Sequence, residues 1–124
     1  MVLIDTDVLI NALNGKQDSV ALLKKIGYEN LIISSITLME IYQGALNKAQ
    51  LIKLKKNLSY YDVLHFDFLI SQKSIELIGD YKLSHGLSIP DSIIAASAIV
   101  HNIPLCTYNF QDFKFIKELI LFKL

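Results

Sequence analysis

The chain has 124 residues, 52% of them hydrophobic, with six Phe, six Tyr, five Gly and two Pro. That length suits one domain over residues 1–124, since domains commonly run to roughly 100–200 residues, and the composition excludes intrinsic disorder and low-complexity linkers. Twelve basic residues balance twelve acidic ones, so overall charge selects neither a polyanionic nor a polycationic partner, and any electrostatic attraction must be local.

The opening residues 1–4 are a short apolar run closed by Asp5, and Val8, Leu9, Ile10, Ala12 and Leu13 then fall at helical spacing up to Asn14-Gly15. A second helix is predicted over 19–26 and a strand over 30–33. After Ser34-Ser35, Leu38, Ile41, Tyr42, Ala45 and Leu46 keep helical periodicity, and Leu51, Leu54 and Leu58 continue it across 48–58. Residues 63–66 read as a third strand, and Asp67 caps a long helix running toward Ser84. Beyond the turn signal His85-Gly86, Ser88 can cap a further helix with Pro90 in its first turn, ending near His101-Asn102. Residues 104–107 form a short strand, 108–112 a loop, and 119–122 a last strand. Strands alternating with helices imply an α/β fold with a mostly parallel sheet covered on both faces.

All the basic residues are lysines, so the chain lacks the planar guanidinium fork and would contact phosphates through ammonium groups, amide donors or a metal. The lone Cys106 cannot form an internal disulfide and reads as a small apolar filler. No leader pattern is visible and the longest strongly apolar stretch, 93–100, falls far short of the roughly 20 residues that span a bilayer, so the expectation is a cytoplasmic protein. His65, His85 and His101 lack the spacing of zinc ligands.

In open parallel sheets, ligands bind at the carboxyl ends of the strands. Asp5 ends the first strand, Glu40 lies in the first turn or two of the helix after the second, Asp91 opens a later helix, and Thr107-Tyr108-Asn109 follows a late strand. Each acid has a structural reading: Asp5, Thr6 or Asp7 as the cap of the first helix, Thr37-x-x-Glu40 and Ser88-x-x-Asp91 as capping boxes. Together, three carboxylates drawn to one edge would repel unless a hard divalent ion joined them, and magnesium or manganese suits that donor set.

Four segments carry a family resemblance: Val2-Leu-Ile-Asp-Thr-Asp-Val-Leu-Ile10, Ile33-Ser-Ser-Ile-Thr-Leu-Met-Glu-Ile41, Ile89-Pro-Asp-Ser-Ile-Ile-Ala-Ala96 and Leu105-Cys-Thr-Tyr-Asn-Phe-Gln-Asp-Phe113. In this order and spacing they resemble the PIN-domain ribonucleases, in particular the VapC-type toxins of toxin–antitoxin pairs, over almost the whole chain. The resemblance implies a three-layer α/β/α domain and a Mg²⁺-dependent endoribonuclease, with Mn²⁺ as a substitute, that leaves 5′-phosphate and 3′-hydroxyl ends. Carried over, it makes Asp5, Glu40 and Asp91 the metal ligands and, with Asn109, the catalytic set; Asn109 stands where many members have a fourth Asp and many others Asn, a position that acts through a metal-bound water or orients a ligand. Thr6, Thr107 and Asp112 fall at supporting positions. A small antitoxin and a homodimeric state are the implied partnerships, and a mean hydropathy of +0.40 agrees with a surface patch for association.

RNA approaching an acidic pocket needs cations nearby, and Lys48, Lys53, Lys55 and Lys56 lie in a stretch without an acid, close in sequence to Tyr60 and Tyr61. The alternative for that stretch is an ordinary solvated helix face. Two other functional readings compete. Asp5-Thr-Asp7 after an apolar strand also opens haloacid-dehalogenase-like phosphohydrolases, where Asp5 would be the nucleophile and Asp7 an acid. A catalytically degenerate PIN fold used only for binding is the second. A response-regulator receiver is excluded, because no phosphoacceptor Asp ends a mid-chain strand within 51–57.

Overall fold

The computed structural model describes residues 1–124. Four strands, β1 (Val2–Ile4), β2 (Leu31–Ser34), β3 (Asp62–Leu64) and β4 (Leu105–Cys106), form one parallel sheet in the order β3-β2-β1-β4. Six helices alternate with them: α1 (Thr6–Leu13), α2 (Gln17–Ile26), α3 (Ser35–Gln43), α4 (Lys48–Leu58), α5 (Phe68–His85) and α6 (Ile89–Val100). This is the α/β architecture expected from the alternating pattern.

The strands are apolar on both sides because both sides of the sheet are covered. Leu3 and Leu105 face a core built with Ile70 and Leu77 of α5, Ile94, Ala95 and Ala98 of α6, and Phe113 and Ile116. Val2, Ile4, Leu31, Ile33 and Cys106 point the other way, to Val8, Leu9, Leu23, Ile41 and Leu58 from α1 to α4. The period-two alternation of side chains along each strand thus separates two cores and produces three layers. The small residues of α6 let it lie close against α5, the most extensive helix pairing in the molecule. Between them, Gly86 adopts φ 71°, a left-handed geometry that suits glycine, and its N–H closes α5 onto the Lys82 carbonyl.

Several expected boundaries move: α2 covers 17–26 rather than 19–26, β2 31–34 rather than 30–33, and β4 105–106 rather than 104–107. β3 covers 62–64 rather than 63–66, leaving His65 and Phe66 in the exposed link to α5. The helix after β2 stops at Gln43, so Ala45 and Leu46 lie outside it. The final strand expected over 119–122 is only one bridge, Leu105 with Leu121, held by Leu105 N–H to the Ile120 carbonyl at 2.9 Å and Phe122 N–H to the Leu105 carbonyl at 2.8 Å. Burying Phe113 and Ile116 winds residues 110–119 through tight turns, and too little extended chain remains for a full strand.

No helix is long and apolar enough to cross a membrane.

Candidate active site

Strands β2 and β3 lie on one side of β1 and β4 on the other, so the chain changes direction across the sheet beside β1. At such a switch point the loops leaving adjacent strands diverge and open a crevice at their carboxyl ends. Asp5 follows β1 and Thr107 follows β4, and these two meet across the opening.

Asp5 is 4% exposed, and both its carboxylate oxygens are engaged. Oδ1 accepts from Thr6 N–H at 2.8 Å, capping α1, and Oδ2 accepts from the Thr107 hydroxyl at 2.7 Å. Of the three capping candidates Asp5, Thr6 and Asp7, the cap is Asp5, the same residue that occupies the crevice. Thr107 Oγ1 also accepts from Asn109 N–H at 3.0 Å, fixing the loop past β4. The Asn109 side chain is not used to cap the turn that follows it, so its amide is left for solvent or ligand.

Glu40 is not the partner in a capping box. α3 begins earlier than the Thr37-x-x-Glu40 pattern suggests, because Ser34 caps it by accepting from Ile36 N–H at 3.2 Å. Thr37 and Glu40 instead turn toward α1, where Thr6 Oγ1 lies 3.0 Å from both Thr37 Oγ1 and Glu40 Oε1. A single hydroxyl proton goes preferentially to the charged acceptor, so Thr6 orients Glu40. Asp91 sits in the first turn of α6, its N–H donating to the capping Ser88 hydroxyl at 3.2 Å.

Asp7, which the PIN resemblance assigns no site role, is built into the same edge. Its Oδ1 accepts from Val8 N–H at 2.7 Å and its Oδ2 from Tyr108 N–H at 3.1 Å, tying the start of α1 to the loop after β4. Nothing in the sequence pairs residues 7 and 108; the contact exists because β1 and β4 are neighbours.

Electrostatics bind these groups into one unit. Burial raises the Asp5 carboxyl to about 7, against the Thr107 hydrogen bond, and the negative charges of Asp7 and Asp91 push the same way. Burial also raises Asp91 to about 6, helped by Asp112, Glu40 and Asp7. Asp5 and Asp91 thus both sit in a field of neighbouring carboxylates, drawn from Asp7, Glu40 and Asp112 as well as each other. None is paired with a lysine, since both ion pairs of the protein belong to Lys73, with Glu76 at 3.3 Å and Glu118 at 2.8 Å.

This arrangement tests what ion would fit. No three His, Cys, Asp or Glu side chains close on one point, so there is no ready-made cage of the zinc type. An all-oxygen, uncompensated and open set fits a hard divalent ion that keeps several of its waters. The histidines stand elsewhere: His85 stacks on Phe115 at 4.2 Å, His65 precedes α5 and His101 ends α6.

The end of the lysine stretch is not drawn to this edge. α4 delivers the chain to the amino end of β3, so Lys55 and Lys56 in its last turn lie toward the edge opposite Asp5. Lys55 Nζ stands 5.9 Å from the Tyr42 ring centre near the end of α3, while Lys48 and Lys53 are exposed.

Thr107→Val tests the tie across the crevice. It keeps the side-chain volume but leaves a buried carboxylate without its hydroxyl donor, at an expected cost of about 1–3 kcal/mol by chemical denaturation at neutral pH. An unchanged midpoint there would mean that the bond does not contribute.

A parallel α/β sheet with a carboxylate edge at its switch point defines the class of fold and site, and the comparisons assign the family. The PIN domain profile matches residues 2–118, and the chain belongs to the PIN domain family. It is similar to a chain of a toxin–antitoxin complex from Klebsiella pneumoniae, at 30% identity over 100% of both chains with a TM-score of 0.82. It is also similar to a chain of VapBC2 from Rickettsia felis bound to a fragment of promoter DNA, at 26% identity over 100% of this chain and 99% of that one, TM-score 0.85. A third is from FitAcB of Neisseria gonorrhoeae, at 26% identity over 99% and 97%, TM-score 0.80. No curated protein matches the chain. The phosphohydrolase reading falls with the family assignment, and Asp7, held by two backbone N–H groups, is poorly placed to act as its acid.

Proposed function

We propose that this PIN protein is a Mg²⁺-dependent endoribonuclease and the toxin of a VapBC-type pair. The observation that carries the reading is the uncompensated carboxylate edge at the β1/β4 crevice: Asp5 buried and raised, Asp91 raised beside it, Glu40 oriented by Thr6. Asp5, Glu40 and Asp91 would hold the ion, with Asn109 presenting its amide to a ligand and Asp112 adding negative charge. When bound, a divalent ion supplies charge neutralisation at the phosphate and lowers the pKa of water. Asp91 or Glu40 accepts the proton of the attacking water, while Thr6 and Thr107 keep their carboxylates in place. The Klebsiella relative supports an antitoxin partner, and the acidic edge offers a cationic antitoxin side chain its natural seat. Exposed Phe68, Leu69, Ile75 and Leu83 on α5 supply an apolar surface for a homodimer.

The test incubates wild-type protein and Asp5→Ala with a panel of structured RNAs, with Mg²⁺ and with chelator. Cleavage that needs both Mg²⁺ and Asp5 is expected; binding without cleavage under every condition would favour the degenerate binding fold. The same assay reads the lysines. Replacing Lys53, Lys55 and Lys56 by Gln should lower the salt dependence of RNA binding by about 0.7 in slope per lost single-strand contact. Because Lys55 and Lys56 lie toward the edge opposite Asp5, the effect should need RNAs long enough to reach both, and an unchanged slope would return α4 to a solvated helix face.

A further inference from the structure

Tyr108 is fixed at both ends. Its backbone N–H donates to Asp7 Oδ2 at 3.1 Å, and its phenol oxygen shares a 2.7 Å hydrogen bond with Ser19 Oγ, whose residue is only 2% exposed. The residue nevertheless remains 38% exposed. An aromatic side chain locked in this way presents a surface without further loss of side-chain freedom on binding.

Beside it lies a cleft of about 500 Å³, bordered by Asn11 from α1, by Lys16, Gln17, Asp18 and Ser19 at the start of α2, and by Tyr108. That volume is in the range of small-ligand sites, about 300–1,000 Å³. Its walls are polar in a mixed way: two carboxamides, one ammonium and one carboxylate. Lys16 and Asp18 take part in no ion pair, so their charges are not spent on each other. The cleft also shares its loop with the acidic edge, since Thr107 and Asn109 flank Tyr108 in sequence.

We propose that this cleft holds one base of single-stranded RNA beside the bond to be cut, with Tyr108 as the stacking face and Asn11, Gln17 and Asp18 reading the base edge. The proposal rests on the ribonuclease reading above and names how that site selects its substrate. Carboxamides place a donor and an acceptor side by side, the complement of the adenine N6 and N7 pair, and Asp18 accepts from an exocyclic amine. Uracil carries no amine, so adenine is preferred over uracil. Lys16 at the rim meets a phosphate of the same nucleotide.

The experiment measures binding of fluorescent oligo(A) and oligo(U) RNA to the whole protein in chelator, where no cleavage is needed, and maps cleavage positions on a random-sequence RNA pool with Mg²⁺. Wild type should bind oligo(A) about ten-fold more tightly than oligo(U). Tyr108→Ala should weaken both by about ten-fold, the loss typical of one stacked base. Asn11→Ala and Gln17→Ala should erase the adenine preference and leave oligo(U) affinity in place. Tyr108→Phe keeps the ring and drops only the Ser19 bond, so its binding should stay within a few-fold of wild type and separate stacking from a folding defect. Equal binding of the two RNAs by wild type, failure to bind either, or indifference to Tyr108→Ala overturns the proposal. Cleavage without base preference would remove the pocket and leave the nuclease reading intact; adenine-selective binding with no cleavage in Mg²⁺ would do the reverse.

Discussion

Asp5→Asn is expected to abolish RNA cleavage, by about 100- to 1,000-fold or more, while making the protein harder to melt. Activity is lost because a neutral amide neither ligates a hard cation well nor balances its charge. Stability rises because the substitution removes a negative charge from a position 4% exposed and surrounded by Asp7 and Asp91. The local structure survives, since Asn caps a helix as well as Asp does and its carbonyl still accepts from Thr6 N–H. The Thr107 hydroxyl reverses role and accepts from the new amide. A gain of about 1–2 kcal/mol is expected, seen as a rise of roughly 3–8 °C in the thermal midpoint in chelator. Asp91→Asn should match it in activity with a smaller gain, because Asp91 is only half-buried. A variant that cleaves at the wild-type rate would remove its residue from the site, and a lowered midpoint for Asp5→Asn would show that the charge is not a burden on the fold.

The same charges set the response to pH. A carboxyl raised in the folded protein holds a proton that the unfolded chain has released, so its contribution to stability is complete below its ordinary value of 3.8 and is lost as pH climbs through the folded value. For Asp91 and Asp5 those folded values are about 6 and about 7. In chelator, wild-type stability should therefore fall between pH 5 and pH 8. Adding Mg²⁺ should raise the melting midpoint at pH 8 and have little effect at pH 5, because only the ionised set binds the ion and binding to the folded state stabilises it by mass action. Asp5→Asn should remove most of both responses, and comparing the two proteins subtracts every contribution they share. A wild-type midpoint in chelator that is higher at pH 8 than at pH 5 would falsify this account.

Local signals made the frame of the site legible. An apolar run ended by Asp5, and a Ser88 cap with Pro90 and Asp91 behind it, state their structure within a few residues, and β1, α1 and α6 lie where those signals put them. Glu40 was harder to read because Thr37-x-x-Glu40 has the form of a local cap, whereas its partner, Thr6, is 34 residues away. Asp7 with Tyr108 is the same case at a separation of 101 residues. Residues 119–122 look like a strand because they are apolar, but the turns that bury Phe113 and Ile116 leave room for one bridge only. The lysines of α4 are adjacent to nothing acidic in sequence, and only the direction in which α4 meets β3 shows which edge they serve.

β1 precedes the other three strands in the chain and yet lies inside the sheet, between β2 and β4. Its Asp5 gains the Thr107 hydroxyl across 102 residues of chain, and Asp7 gains the Tyr108 amide across 101. A nascent polypeptide that has not yet reached residue 107 therefore has an open slot beside β1 and a carboxylate edge missing its anchor, even when Asp5, Glu40 and Asp91 have all been made. Pairings this distant along the chain also form late and slowly. The two bonds that close the crevice therefore join distant parts of the chain, and the carboxylate edge is completed only when the loop after β4 is in place beside β1.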